Sequence, residues 1–155
     1  MLAIWPHAPN GIYVPSSMAG DIVVVDTGPL VALLDPSDRA RDRCRLQLDR
    51  LDRADLVTTE AVVTEVEYLL DFSVQAQAAF MLILASGRPR VEPMTGTDRP
   101  RLGELMVRYA DLPIDYADAT LIVLAERLAA SRVFTLDRRD FNVYRVGRRR
   151  FEVLP

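Results

Sequence analysis

Apolar and polar positions along the chain divide it into alternating strand and helix patterns. Ile22–Val25 is a continuous β-branched apolar run, which predicts a strand buried on both faces. The run ends at Asp26, and Thr27-Gly28-Pro29 predicts a helix start, with Thr27 as the cap and proline in the first turn. Similar patterns predict strands at 56–59, 91–94, 133–136 and 151–154, and helices at 30–34, 38–53, 60–70, 74–85, 98–109 and 116–130, the second of these exposed.

This alternation sets the expected fold class. Strands that alternate with helices form right-handed βαβ units, which build a parallel sheet covered on both faces. We therefore expect residues 21–155 to form one α/β domain, a three-layer α/β/α sandwich around a central parallel sheet. Residues 1–20 contain three of the ten prolines and no periodicity, which predicts a loosely ordered N-terminal extension in which Met18 is an alternative start.

Composition narrows the chemistry that such a domain can perform. All 19 basic residues of the 155-residue chain are arginine, and there is one histidine, His7, and one cysteine, Cys44. The missing lysine excludes a P-loop lysine and a Schiff base, and the scarcity of cysteine and histidine disfavours zinc clusters, disulfides and a Ser-His-Asp triad. Fifteen aspartates and seven glutamates remain as the abundant groups that bind hard cations or transfer protons.

The hydrophobic pattern also bears on location. No apolar run approaches the roughly 18 to 20 residues of a membrane span, and the first 20 residues lack the basic start and apolar centre of a signal peptide. We expect a cytoplasmic protein without a membrane partner. A single cysteine agrees with a reducing compartment.

Two aspartates follow predicted strands. Asp26 comes after the first strand, and Asp137 comes after the strand at 133–136. Ligands of parallel sheets gather beyond the carboxyl ends of the strands, so both side chains are expected at one edge of the sheet. Capping of a helix by Asp26, or a turn at Asp137 or Asp140, explains each residue equally well by itself.

Asp118 lies on a helical stripe that otherwise faces the core. The 3.6-residue period places it with Leu121, Ile122 and Ala125, and isolated burial of its charge would cost several kcal/mol. Asp115 is three residues earlier, so the pair forms either a capping-box arrangement or part of a cation site.

Two glutamates border the apolar face of the helix at 60–70, and periodicity does not choose between Glu65 and Glu67. Several acids at one edge would repel one another unless a divalent cation sits among them. Magnesium takes one or two carboxylates directly and leaves positions for a phosphate and an attacking water, which describes a phosphodiester-cleaving site.

Four segments together resemble PIN-domain proteins, and in particular the VapC toxin family of toxin–antitoxin ribonucleases. They are Val24-Val25-Asp26-Thr27-Gly28-Pro29-Leu30, Thr58-Thr59 through Val63-Thr64-Glu65-Val66, Tyr109-Ala110-Asp111-Leu112-Pro113 to Asp118-Ala119, and Phe134-Thr135-Leu136-Asp137-Arg138-Arg139-Asp140-Phe141. The resemblance covers about residues 21–155.

This resemblance implies cleavage of single-stranded or structured RNA by water that Mg²⁺ or Mn²⁺ activates. It also implies a VapB-like antitoxin partner and a homodimer. The residues that it assigns to catalysis and metal binding are Asp26, Glu65, Asp118 and Asp137, which selects Glu65 over Glu67. The residues that it places beside them, in supporting positions, are Thr27, Asp115, Thr135 and Asp140.

Charge is unevenly distributed along the chain. The formal net charge is −3, yet the segment from Arg132 to Arg150 holds seven arginines against two aspartates, a local balance of +5. Guanidinium groups pair with phosphate oxygens bidentately, although a run of arginines is also typical of an ordinary solvated face. The arginines expected to contact RNA are Arg138, Arg139, Arg148, Arg149 and Arg150.

Other readings of the chain are weaker or stay open. A haloacid-dehalogenase-type phosphatase needs a second aspartate where this chain has Gly28, and usually a lysine, which is absent. The glycine pattern G-x-G-x-x-G of dinucleotide-binding folds is also absent. A PIN-like scaffold that is catalytically weak and mainly binds a partner remains an alternative.

Overall fold

The structure, a computed structural model, describes residues 21–112 and 114–155, so the predicted extension 1–20 with Met18 lies outside the described residues. Its strands are β1 (Ile22–Val25), β2 (Asp55–Thr59), β3 (Arg90–Glu92), β4 (Arg132–Phe134), β5 (Arg145–Val146), β6 (Arg149–Arg150) and β7 (Glu152–Leu154). Its helices are α1 (Thr27–Leu34), α2 (Arg41–Arg50), α3 (Glu60–Leu69), α4 (Val74–Ala85), α5 (Arg99–Arg108), α6 (Tyr116–Arg127) and α7 (Arg138–Phe141).

Five strands form one parallel sheet in the order β3-β2-β1-β4-β7, and β5 and β6 form a small antiparallel pair. The path runs outward from β1 to β3 and then returns past β1 to β4. Because crossovers are right-handed, this reversal places α1–α4 on one face of the sheet and α5–α6 on the other. The α/β/α sandwich expected from the sequence is confirmed.

The centre of the molecule is β1 and the helix that lies on it. Val23, Val24 and Val25 are fully buried, and α6 contacts both β1 and β2. Every residue of α6 from Ala119 to Ala125 is buried, so this helix is enclosed nearly all round. Since α6 leads back to the start of β4, its own N-terminus lies at the carboxyl edge of the sheet. Within the described residues, no helix is both long and apolar enough to cross a membrane.

Buried threonine hydroxyls join the elements at that edge. Thr58 Oγ1 donates to the Val25 carbonyl at 2.8 Å. Thr59 Oγ1 accepts from the Val62 amide at the start of α3 and lies 2.8 Å from Thr120 Oγ1 on α6. Thr120 Oγ1 already donates its proton to the Ala117 carbonyl, so Thr59 is the donor between the two hydroxyls. The ends of β1 and β2 and the starts of α3 and α6 are therefore held together.

Several predicted elements differ in the structure. Helix α2 was expected to be exposed, and Leu46 is, but Cys44 and Leu48 are fully buried because α2 packs on α1. Helix α3 ends at Leu69, one residue earlier than predicted; Leu69 is 45% exposed, whereas Leu70, directly after the helix, is buried. Strand β4 ends at Phe134, two residues earlier than predicted. The patterns missed α7, β5 and β6, because elements of two to four residues carry no measurable period.

Replacement of Thr59 by valine should lower the free energy of unfolding by about 1 to 2 kcal/mol, because the isosteric side chain loses both the helix cap and the donor to Thr120. Thr64→Val is the matched control on the same helix, since its exposed hydroxyl bonds only to the Glu60 carbonyl. Urea denaturation of both variants measures the difference. If both variants lost the same free energy of unfolding, the buried hydroxyl chain would contribute no more to stability than the exposed hydroxyl of Thr64.

Candidate active site

A cleft of about 480 Å³ opens at the carboxyl edge of the sheet and is lined by five carboxylates. No arginine is among the described residues that line it. The complete lining is Asp26, Thr27, Gly28, Glu65, Leu69, Asp115, Asp118, Leu136 and Asp137. The structure therefore brings together all four acids that the resemblance assigned to catalysis, with Asp115 as a fifth.

Asp26 is fixed by hydrogen bonds from both sides. It caps α1, in the place expected for Thr27, and its Oδ1 accepts from the Thr27 amide at 2.7 Å. Its Oδ2 accepts from the Thr135 hydroxyl at 2.6 Å, and the same Thr135 oxygen accepts from the Asp137 amide at 2.9 Å. One hydroxyl thus ties the acid after β1 to the segment that leads from β4 into α7.

Glu65 is held by a neighbouring hydroxyl. Thr27 Oγ1 donates to Glu65 Oε2 at 2.6 Å, which links the start of α1 to the middle of α3. Glu65 lines the cleft, whereas Glu67 does not. Periodicity could not separate these two residues because each borders the apolar face, and the separation depends on how α3 rotates against α1.

Asp118 combines a local contact with a distant one. Its amide donates to Asp115 Oδ1 at 2.8 Å, so Asp115 caps α6 as the sequence suggested. Its Oδ2 accepts from the Tyr144 hydroxyl at 3.3 Å. Tyr144 is fully buried, with its ring packed edge-on against Tyr109 and Phe141 at centroid distances of 5.0 and 5.4 Å.

Sequence reasoning missed Tyr144. It lies outside every helix and strand that the patterns predict, and its packing partner Tyr109 is distant in sequence. The available signal was the apolar residues around it, Phe141, Val143 and Val146, since a tyrosine among apolar residues can bury its ring and keep a partner for its hydroxyl.

Burial and crowding raise the pKa values of the central acids. Burial raises the pKa of Asp26 from 3.8 to about 6, although the bonds from Thr135 and Thr27 oppose this and the charge of Glu65 adds to it. Burial, followed by the charges of Asp26 and Asp115, raises the pKa of Asp118 from 3.8 to about 8. The pKa of Tyr144 is also raised, by burial and then by Asp118. In the cleft without a bound cation, the ionised forms of Asp26 and Asp118 are therefore less favoured, relative to their protonated forms, than that of a solvated aspartate.

Asp137 and Asp140 differ in position. Asp137 is exposed, lines the cleft and caps α7, its Oδ1 accepting from the Asp140 amide at 2.9 Å. Asp140 does not line the cleft. Its Oδ1 has no hydrogen-bond partner among the described residues and lies 3.7 Å from Arg139 Nε.

The five arginines expected to contact RNA fall into two groups. Arg138 and Arg139 are exposed on α7 directly after Asp137, and Arg138 also donates to the Pro155 carbonyl at 3.1 Å. The exposed run 148–150 follows Gly147, whose amide donates to Glu126 at 3.1 Å. Glu126 lies eight residues beyond Asp118 on α6, or about 12 Å along the helix. The structure places the first group beside the cleft and the second group away from it.

The donors of the cleft suit a hard cation. All five acids offer oxygen, and two of them have raised pKa values that a neighbouring cation would lower. Within 21–112 and 114–155, no three acidic, cysteine or histidine side chains form a group ready to hold an ion. This arrangement fits Mg²⁺ or Mn²⁺ bound by one or two carboxylates and several waters, better than it fits a dedicated cage of protein ligands.

A sequence model of the PIN domain matches residues 23–147. The chain belongs to the PIN domain family. Ribonuclease VapC26 of Mycobacterium tuberculosis is 32% identical over 139 residues, which span 86% of this chain and all of that relative.

Two solved structures share the PIN fold with this chain. The sarcin–ricin-loop-cleaving toxin VapC20 of Mycobacterium tuberculosis has a TM-score of 0.66 at 23% identity, covering 76% of this chain and 91% of its own. VapBC2 of Rickettsia felis, bound to a fragment of promoter DNA, also has a TM-score of 0.66, at 17% identity, covering 86% of this chain and 99% of the matched chain.

In the metal-free protein, Asp118→Asn should stabilise the fold at alkaline pH. The folded state holds the Asp118 proton up to about pH 8, whereas the unfolded chain releases it near 3.8, so the free energy of unfolding falls as pH rises between these values. Asparagine removes this contribution, and we expect a gain on the order of 2 kcal/mol at about pH 8 and a flatter pH profile.

Urea denaturation from about pH 5 to about pH 8 with a chelator present checks this expectation. Asp49→Asn, at an exposed position of α2, serves as the control and should follow the parent profile. A parallel profile for Asp118→Asn would show that the Asp118 carboxylate is not destabilised in the cleft.

Proposed function

We propose that this PIN-domain chain is a ribonuclease that depends on Mg²⁺ or Mn²⁺ and acts through Asp26, Glu65, Asp118 and Asp137. The observation that carries the proposal is a cleft with five carboxylates and no cationic side chain among its described lining residues. Such a cleft attracts a divalent ion and, through it, the phosphodiester of a nucleic acid.

The comparisons support RNA as the substrate. The relative that is 32% identical over its whole length is named as a ribonuclease, and a protein with the same fold cleaves the sarcin–ricin loop. The VapBC2 structure pairs a toxin of this fold with its antitoxin. We infer that this chain is likewise the toxin of a pair and that a VapB-like antitoxin restrains it.

Two acids of the cleft form the proposed metal site. Asp26 and Asp118 would hold the ion, kept in place by Thr135 and Tyr144. When bound, a divalent ion supplies positive charge for the phosphate oxygens and lowers the pKa of a bound water.

The remaining groups act on protons and on phosphate. Glu65, oriented by Thr27, is placed to accept a proton from the attacking water, and Asp137 shares the same cleft. Arg138 and Arg139 beside it would contact flanking phosphates. Arg148–Arg150 could contact only parts of the RNA remote from the cleft.

Asp26→Asn and Glu65→Gln should each reduce RNA cleavage at least about 100-fold without unfolding the protein, because each removes a carboxylate from the reacting centre. Glu67→Gln is the matched control, since Glu67 lies on the same helix but outside the cleft. Cleavage is measured on protein freed of any inhibitor, by mapping the ends of the RNA products.

Removal of divalent ions gives the second arm of this test. Excess EDTA should abolish cleavage, and added Mg²⁺ or Mn²⁺ should restore it. Undiminished cleavage in EDTA would refute metal dependence, and undiminished cleavage by Asp26→Asn would refute the assignment of the site. A protein that neither binds metal in a calorimetric titration nor cleaves RNA would be a PIN scaffold.

A further inference from the structure

The carboxylate cleft continues into a neighbouring groove. Glu65 and Asp115 line both, so the two depressions adjoin at these residues. The groove has a volume of about 680 Å³ and lies between α3 and the start of α6. Two tyrosines, Tyr68 and Tyr116, contribute to its lining, and we call them the tyrosine pair.

A third depression extends the same path. It shares Glu60, Ala61 and Tyr116 with the groove and has a volume of about 520 Å³. Met94 and Met106 contribute to its lining, which also includes Arg99. The three depressions therefore adjoin in series. We call this series the track: the carboxylate cleft, the groove that the tyrosine pair lines, and the depression that Arg99 lines.

The tyrosine pair presents aromatic surface to solvent beside the site. Tyr68 is 74% exposed and Tyr116 is 52% exposed. Tyr68 follows Glu65 by three residues on α3, and Tyr116 directly follows Asp115, the cap of α6. Both tyrosines therefore stand on helices that begin at or carry cleft acids, which fixes their backbone positions relative to the reacting centre. Exposed aromatic rings in a groove are stacking platforms for unpaired bases.

Charge along the track indicates how a nucleic acid would lie in it. The carboxylates of Glu60, Glu65 and Asp115 would repel phosphates, so bases rather than phosphates belong in the groove. Arg99, which lines the third depression, is exposed and has no ion pair with any residue in the described part of the chain, so its guanidinium is available to a phosphate. A single strand, whose bases and phosphates can face different ways, fits this alternation.

We propose that the track from the carboxylate cleft to Arg99 binds the single-stranded RNA on one side of the scissile phosphodiester, with bases stacked on Tyr68 and Tyr116 and a phosphate held by Arg99. This proposal rests on the proposed ribonuclease function. The rings and Arg99 contribute to the affinity for RNA, whereas the carboxylates carry out the reaction.

The test measures binding and cleavage separately. Binding of an unstructured oligoribonucleotide of about 12 residues is followed by fluorescence anisotropy in the Asp26→Asn background, with Tyr68→Ala, Tyr116→Ala and Arg99→Ala added singly. The cleaving enzyme with the same three changes gives KM and kcat. Tyr116→Phe and Tyr68→Phe keep the rings, and the controls are Phe72→Ala, an exposed aromatic outside the track, and Arg45→Ala, an exposed arginine of α2.

We expect each of the three alanine variants to bind RNA roughly tenfold more weakly and to raise KM with little change in kcat. The two phenylalanine variants and the two controls should behave like the parent, and thermal melting confirms that all remain folded.

If the wild-type protein cleaves RNA and the alanine variants bind and cleave RNA equally well, the proposed role of the track is wrong, while the ribonuclease function stands. If these alanine variants bind and cleave RNA normally but no longer bind a co-purified antitoxin, the proposal that the track binds RNA is wrong and the groove binds protein. Wild-type protein that cleaves no RNA would refute the proposed function itself, on which the track depends.

Discussion

Repulsion among five carboxylates in one cleft is the constraint on which the rest of this structure depends. Three of these acids, Asp26, Asp115 and Asp137, each cap a helix, and α1, α6 and α7 therefore begin at the same edge of the sheet. Unpaired amides and the positive ends of helix dipoles partly offset negative charge there. Asp118, which is half-buried and caps no helix, has the most strongly raised pKa of the site acids for which a shift is resolved. The fold thus offsets the negative charge at the three helix caps better than at Asp118. A cation that binds oxygen ligands would reduce the repulsion most at Asp118.

Hydroxyl groups convert this crowding into a defined geometry. Thr27, Thr135 and Tyr144 each donate to a carboxylate on a different element, and the residues joined are 26 to 109 positions apart. None of these donors carries charge, so they orient the acids without neutralising them. An arginine in their place would have satisfied the acids electrostatically and left less attraction for a metal ion.

Local rules predicted the parts of the site that depend on local sequence. Asp26 stands where a strand ends and a helix begins, and Asp115 stands directly before a helix, so the signals for both lie within a few residues. Choosing Glu65 over Glu67 required either the family resemblance or the packing of α3. The contact from Tyr144 depends on an aromatic cluster that forms only in the folded chain. The run Arg148–Arg150 was visible as charge, but its distance from the cleft depends on the Gly147 turn and its bond to Glu126.

The bond between Thr135 and Asp26 also bears on the order in which the molecule assembles. It spans 109 positions and requires β4 to pair beside β1 after the chain has already made β2 and β3. Parallel pairing over such a separation is slow, because the entropy of closing the loop is lost before the strand contacts stabilise the pair. Four of the five cleft acids precede Thr135 in the chain, yet none has its final surroundings until β4 is in place. A nascent chain in which β4 has not yet been synthesised therefore contains four of the five acids but has no assembled cleft.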